Sequence, residues 1–437
     1  MEMGTIGSET MLVEFSVENF RSFRDKVTLS MLATADDSLP DNVVCADGLD
    51  GQRLIRSAVI FGANASGKSN LLMASEFLRN LVLLSHTYQK GQKLNYNPFR
   101  LDERSLSRPS KFEIVFIKGG VRYSYGVTMN ADRIIDEYLY FYPRGRRSLI
   151  FLRKNTDNYT FNRDRVKQKF ISGSTLENVL YLSRATQLKY QGTSIAFDWF
   201  KDNLRTVTRI DEPPFEHLST RLVHKNLKMK KAILKALAEA DVGIDDVTAS
   251  IREMSLEDVT KRMPPELRRL FLDTYRPEQG PIEEFKVTTF HKAQTRSGKE
   301  TKVPFQLGEE SEGTRRIFIL MGLWLDALEN GRVLIVDELD VKLHILLNAF
   351  LVRLFHDTTQ NRNCAQLIFA THNTNLLDQD LFRRDQIWFT ERNPNTGSSD
   401  LFSIVEFSPR KDKDLQKGYL AGRYGALPFI KGQKVLS

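Results

Sequence analysis

The segment VIFGANASGKSNLL, Val59 to Leu72, sets Gly62, Gly67, Lys68 and Ser69 at the spacing G-x-x-x-x-G-K-[ST]. Glycines at these points let backbone N–H groups curl around phosphate oxygens. The Lys68 ammonium reaches the outer phosphates and the Ser69 hydroxyl is a Mg2+ ligand. The gripping stretch is Gly62, Ala63, Asn64, Ala65, Ser66, Gly67, Lys68, Ser69 and Asn70. A second segment, VLIVDELD, places Asp337 and Glu338 after four apolar residues. Asp337 there is suited to hold Mg2+ through the metal's water shell, and Glu338 to polarise an attacking water. A hydrophobic-Asp-Glu run alone is equally an acid-capped strand end; paired with the upstream loop it points to ATP with Mg2+.

Two shorter motifs extend the pattern. In LGEESEGTRR, Ser311 and Gly313 stand at the start of a predicted helix, where N–H groups and the helix dipole favour a phosphate. The run AQLIFATHN ends on His372, which is placed to bond a γ-phosphate or hold a water in line. Ser-x-Gly alone is a weak signal and a single histidine is more often structural. The order of the four, loop, Ser-x-Gly helix, Asp-Glu strand, His strand, carries the argument.

The elements that must position these residues come from both ends of the chain. LIRSAVIFG is a nearly unbroken apolar run, read as a buried strand feeding the loop, and Ser69 to Leu84 has helical periodicity. MLVEFSVENFRSF alternates like a half-buried strand, and KFEIVFIKGGVRYSYGVTM alternates on both sides of Gly119-Gly120, a hairpin signal. Short strands then continue an antiparallel meander to about residue 163. From Thr175 to Tyr275 the sequence suits helices broken at Pro213-Pro214 and Pro264-Pro265, with no sustained heptads. A hairpin is expected around Arg296-Ser297-Gly298, and a helix over Gly313 to Leu328. Asp337 follows Ser69 by 268 positions, so something is inserted between the two halves of the site. The expected organisation is a disordered 1–10, a first lobe over 11–174, a helical insertion over 175–280 and a second lobe over 281–437. The fold class is α/β, with a mixed sheet, an antiparallel β-subdomain and a helical insertion.

Composition bounds the rest. A hydrophobic content of 41% can fill a large core, and no uninterrupted apolar run is long enough to span a bilayer. With no signal-peptide pattern, the expected location is the cytoplasm, without membrane contact. Cys45 and Cys364 are isolated, so neither a disulfide framework nor cysteine-ligated zinc is expected. The net charge of +8 is concentrated locally. Nine Lys or Arg lie between Arg144 and Phe170 against two Asp, and six lie between Arg221 and Lys235 with no acid. Such stretches suit the phosphates of DNA or RNA, although a basic stretch is more often a solvated face or a surface for an acidic partner.

The motif order resembles the ATP-binding-cassette superfamily, and within it the soluble branch of SMC-like repair ATPases, RecF, the overcoming-lysogeny-defect nucleases and ATPases of bacterial anti-phage systems. VENFRSFRD, GANASGKSNLL, DELDVKLH, FATHN and YLAGRYGALPFI are similar to defence ATPases of the RloA and PARIS AriA type. The resemblance implies an ATPase whose heads pair around two ATP molecules, as a homodimer or higher homo-oligomer. It implies Walker A roles for Lys68 and Ser69, Walker B roles for Asp337 and Glu338, a D-loop Asp340, a signature Ser311 and Gly313, and a switch His372. The signature departs from LSGGQ, keeping the serine and one glycine. Gln187 is the candidate Q-loop residue, Arg21 a candidate nucleotide neighbour, and no adenine-stacking aromatic stands out. Only 65 residues follow His372, too few for a TOPRIM nuclease domain, so a separate effector protein, such as a TOPRIM-type nuclease, is expected. The main expectation is therefore a sensor and switch ATPase of an anti-phage, abortive-infection module that answers a phage-derived trigger. The alternative is a RecF-like or SMC-like DNA-repair clamp under ATP control.

Overall fold

The computed structural model describes residues 10–210, 212–240, 243–261, 263–275, 281–408 and 414–427. The expected disorder of 1–10 lies outside them except at Thr10, and the end of YLAGRYGALPFI lies outside them too. The chain divides into two compact units, one of residues 1–208 with 327–437 and one of residues 209–326.

In the first unit, β1 (Thr10–Glu18) and β2 (Val27–Ser30) are followed by the small pair β3 (Val43–Cys45) and β4 (Arg53–Ile55). Strand β5 (Ser57–Phe61) feeds the glycine-rich loop. An antiparallel run follows: β6 (Ser110–Lys118), β7 (Val121–Met129), β8 (Ile134–Tyr142), β9 (Ser148–Lys154) and β10 (Asn158–Phe161). Further strands are β11 (Leu204–Val207), then in the other unit β12 (Ile244–Met254), β13 (Ile282–Gln294) and β14 (Glu300–Gln306). Back in the first unit come β15 (Val333–Val336), β16 (Gln366–Ala370), β17 (Ile387–Arg392) and β18 (Ser399–Ser403).

Two sheets organise the first unit. One is antiparallel with order β10-β9-β8-β7-β6-β1-β2; the other has order β11-β15-β16-β5-β17-β18, parallel except for β18. All residues of β5, β15 and β16 are buried, which is why their sequences read as apolar runs. The helix Lys68–Leu84 buries Leu71, Ala74, Ser75, Leu78, Leu81 and Val82 at helical spacing. A continuous core joins this helix to Phe15, Phe112 and Tyr125 of the antiparallel sheet and to Ile60, Ile335 and Ile368 of the parallel one.

Strand β1 is more buried than its alternation suggests. It lies inside the sheet, between β6 and β2, and Gln366 accepts a 2.6 Å hydrogen bond from Leu12 N–H. The stretch 175–275 is also less uniformly helical than expected. It yields the helices Tyr181–Gln187, Gln191–Asp198, Pro213–Lys225, Leu227–Glu239, Leu256–Lys261 and Pro265–Thr274, but also strands β11 and β12. The four residues of β11, LRTV, gain their strand identity by pairing with β15, a long-range contact that local periodicity does not carry.

The second unit has a three-stranded antiparallel sheet, β12-β13-β14, with the helices Pro213–Lys225 and Leu227–Glu239 against β12. The expected hairpin around Arg296-Ser297-Gly298 is β13–β14. Helix Glu312–Asn330 begins in this unit, and no helix among the described residues is long and apolar enough to cross a membrane.

Candidate functional site

The glycine-rich loop joins the end of β5 to the helix Lys68–Leu84, so the first turn of that helix points its free N–H groups into the loop. Gly67 is the residue before the helix, at φ 119°, and a Cβ there would stand 2.6 Å from Ser399 Oγ. Only glycine meets both conditions. Other contacts brace the loop from outside. Ser66 Oγ lies 2.6 Å from Thr390 Oγ1 on β17, Asn70 donates to Ser22 Oγ at 2.8 Å, and Ala63 N–H donates to the carbonyl of Ala426 at 3.0 Å.

Within this frame Lys68 is buried, its ammonium donating to the carbonyls of Gly62 at 2.7 Å and Ala63 at 3.0 Å. Burial pulls its pKa down to about 8, against the opposing pull of Asp337, Asp340 and Glu338. His372 Nδ1 lies 3.5 Å from Lys68 Nζ, and the ring's pKa is lowered by burial first and by Lys68 second. The imidazole is therefore neutral at neutral pH, with one nitrogen free to accept and one to donate.

The parallel sheet delivers the acids. Asp337 follows β15, with its N–H bonded to the Val207 carbonyl of β11 at 3.0 Å, and Glu338 follows at φ 51° with its side chain exposed. Ser69 hydrogen-bonds the Asp337 carboxylate, whose pKa is raised chiefly by burial. Asp337 Oδ1 and Asp340 Oδ1 are buried without a hydrogen-bond partner among the described residues. A hydroxyl and a carboxylate oxygen side by side are hard donors of the kind Mg2+ takes. No group of three or more His, Cys, Asp or Glu among the described residues could enclose a metal. The donor set thus fits an ion completed by phosphate oxygens and water, as Mg2+ is at phosphate sites.

Two cavities flank the loop. One of about 790 Å³ is bordered by Ala63, Asn64, His372, Thr374, Tyr419 and Leu427. The other, of about 460 Å³, is bordered by Arg21, Ser22, Ala65, Asn70, Arg100 and Arg392. Arg21, at φ 51° with its N–H bonded to Asn97, thus stands beside the loop. Arg100, Thr390, Arg392 and Ser399 were not singled out by the sequence and carry no local motif; Ser22 and Ala426 lie within VENFRSFRD and YLAGRYGALPFI, but no role was read for either.

Gln187 does not join the group around the loop. Gln187 ends the helix Tyr181–Gln187, is exposed, and accepts from Arg184 at 2.5 Å. That helix lies against the far end of Lys68–Leu84, where Ser183 meets His86 at 3.2 Å. At 1.5 Å per residue the intervening helix is about 25 Å long, so the loop is out of reach for Gln187. Ser311 and Gly313 belong to the other unit. There Ser311 Oγ accepts the Thr314 N–H at 3.1 Å and caps helix Glu312–Asn330, with Gly313 in its first turn.

A P-loop between a buried parallel strand and a helix, with an Asp-Glu strand and a histidine strand beside it and an antiparallel sheet packed on the same core, defines an ABC-type P-loop ATPase head. A protein-family profile described as "AAA domain, putative AbiEii toxin, Type IV TA system" matches residues 57–378, and the chain belongs to that family of ATPases. No curated protein matches the chain. Among solved structures, the SMC head domain from Thermotoga maritima aligns at 12% identity and a TM-score of 0.38, covering 90% of this chain and 98% of that one. An Smc head domain with an extended coiled coil, bound to the C-terminal domain of ScpA and derived from Pyrococcus furiosus, aligns at 13% and 0.39, covering 95% and 99%. The strand order and the glycine-rich loop, not these superpositions, define the fold.

Proposed function

We propose that the chain is an ATP-controlled switch: it binds and hydrolyses ATP with Mg2+, pairs head to head with a second copy, and holds or releases a separate effector in anti-phage defence. The observation that carries this reading is the convergence of Lys68, Ser69, Asp337 and His372 on one glycine-rich loop. Lys68 takes the outer phosphates, Ser69 and Asp337 hold Mg2+, Glu338 polarises the attacking water, and His372 bonds the γ-phosphate or orients that water. Mg2+ supplies neutralisation of the charge developing on the phosphates.

The second nucleotide contact comes from the other copy, with Ser311 of the partner subunit and Gly313 of the partner subunit presenting a helix start to the γ-phosphate, and Asp340 lying at the junction. Closure then depends on the γ-phosphate, because only that group is shared between copies, and its loss removes the contacts that favour the closed state. The defence role is supported by the family description, which names a Type IV toxin-antitoxin system. A cytoplasmic location and a phage-derived trigger belong to the same proposal.

The test is recovery of tagged Glu338→Gln protein from its host before and during infection, with identification of bound proteins and nucleic acid. A stoichiometric effector released on infection supports the switch. DNA recovered alone and indifferent to infection moves the protein to the repair-clamp alternative, which the basic stretches fit equally well.

A further inference from the structure

The antiparallel sheet of the first unit buries one face, and its other face carries a row of aromatic rings that the nucleotide site does not use. Register pairs Gly126 with Tyr138, Ser124 with Tyr140 and Arg122 with Tyr142 across β7 and β8. The intervening Tyr123, Tyr125 and Leu139 are buried in the core. Tyr138, Tyr140 and Tyr142 therefore share the outer face, spaced two residues or about 6.7 Å apart along β8. Tyr138 lies so close over Gly126 that a Cβ there would stand 2.3 Å from its ring; only glycine allows this packing. The Tyr138 and Tyr140 rings are 5.3 Å apart.

Guanidinium groups extend the row. Arg147 stands 3.8 Å from the Tyr140 ring centroid and Arg122 stands 4.1 Å from that of Tyr142. An arginine stacked on a ring keeps its N–H edges free for phosphate oxygens, and its flat face accepts a base as a ring does. Arg144, Arg146 and Arg147 in the β8–β9 turn are exposed. Of the acids here, Glu113 pairs with Lys26 and accepts from the Tyr138 hydroxyl at 2.8 Å, Glu18 pairs with Arg108 and Lys111, Asp136 on β8 accepts the Asn155 N–H at 3.1 Å, and Asp50 stands beside Gly145 in the β8–β9 turn. Toward β1 the row runs into a cavity of about 190 Å³ bordered by Tyr138, Thr128, the lysines Lys26 and Lys111 and the acids Glu18 and Glu113.

From this geometry we infer that the outer face of β7–β9 binds single-stranded nucleic acid, with bases against the tyrosines and stacked guanidiniums and phosphates along Arg122, Arg144, Arg146 and Arg147. An aromatic row needs bases that have left their stack, which a duplex does not offer without opening. The two-residue spacing of the rings is one that an extended strand spans with a single nucleotide. The inference does not depend on the ATP reading, since none of these residues touches the glycine-rich loop.

The experiment is fluorescence anisotropy of the full chain with a labelled oligothymidylate, the matched duplex, and a labelled polyglutamate peptide, at low and moderate salt. Single strand should bind best and lose affinity as salt rises. Tyr140→Ala and Arg147→Glu should each weaken it by about tenfold, with Tyr140→Phe close to the parent. Circular dichroism melting checks folding, and if Tyr140→Ala does not fold, the exposed Arg147→Glu carries the test. Unchanged affinity in the folded variants, or duplex or polyglutamate bound as tightly as single strand, would overturn the assignment.

Discussion

Lys68 is the residue on which the electrostatics of the site turn. Its ammonium is buried among the loop's own carbonyls, and burial brings its pKa to about 8, so in the free protein the charge begins to be lost just above neutrality. A neutral amine offers no ion pair to a triphosphate. ATP affinity is therefore expected to fall about tenfold as pH rises from 7 to 9, and binding near pH 8.5 should take up a proton. Calorimetry in two buffers of different ionisation enthalpy reads that uptake; identical heats after correction would remove Lys68 as its source. Lys68→Ala should abolish binding at every pH. The contiguous residues Gly62 to Asn70 and the pair Asp337-Glu338 were legible in the sequence because their chemistry is local. Ser399 was not, because only pairing across the fold brings it to Gly67. Gln187 was misplaced as the Q-loop candidate because the position of its helix, at the far end of Lys68–Leu84, is set by tertiary packing that no local pattern carries.

At the scale of elements, helix Ile345–His356 is locked to the nucleotide-binding sheet through its last residue. His356 Nε2 lies 2.7 Å from Ser57 Oγ at the start of β5, and burial drives the imidazole pKa down to about 3. Its unfolded value is 6.5, so the folded chain holds it neutral while the unfolded chain takes up a proton below that pH. The stability it supports is present above about pH 6.5 and is lost as pH falls toward 3, by roughly 1.4 kcal/mol per pH unit in that window. The urea midpoint should drop between pH 7 and pH 5, and His356→Gln should flatten that drop. An equally steep drop in the variant would assign it elsewhere. Strands β5, β15 and β16 were readable because burial on both faces makes them apolar throughout. Strand β12, IDDVTASIREM, was not: it lies at a sheet edge and keeps many of its side chains exposed or half-buried, so its composition is that of a surface segment.

For the whole molecule, the proposed pairing of two copies makes the nucleotide a structural component of the dimer. Glu338→Gln, which keeps the metal-side residues and removes the water-polarising acid, should accumulate a dimer with ATP in sedimentation velocity. Ser311→Arg should block that dimer while leaving ATP binding by a single chain intact, because in the proposed pairing Ser311 serves the nucleotide of the partner copy. A Glu338→Gln protein that stays monomeric with saturating ATP, or a Ser311→Arg protein that dimerises normally, would count against the shared site.

The order of the parallel sheet, with β5 between β16 and β17, has a consequence for biosynthesis. Strand β5 and its loop leave the ribosome early, yet both neighbours of β5 are encoded more than three hundred residues later. At about 5–20 residues per second the loop waits roughly 15 to 65 s for its flanking strands. During that interval β5 is an apolar strand with two open edges, so a stalled or truncated product would be a substrate for chaperones and proteases before it could compete for nucleotide.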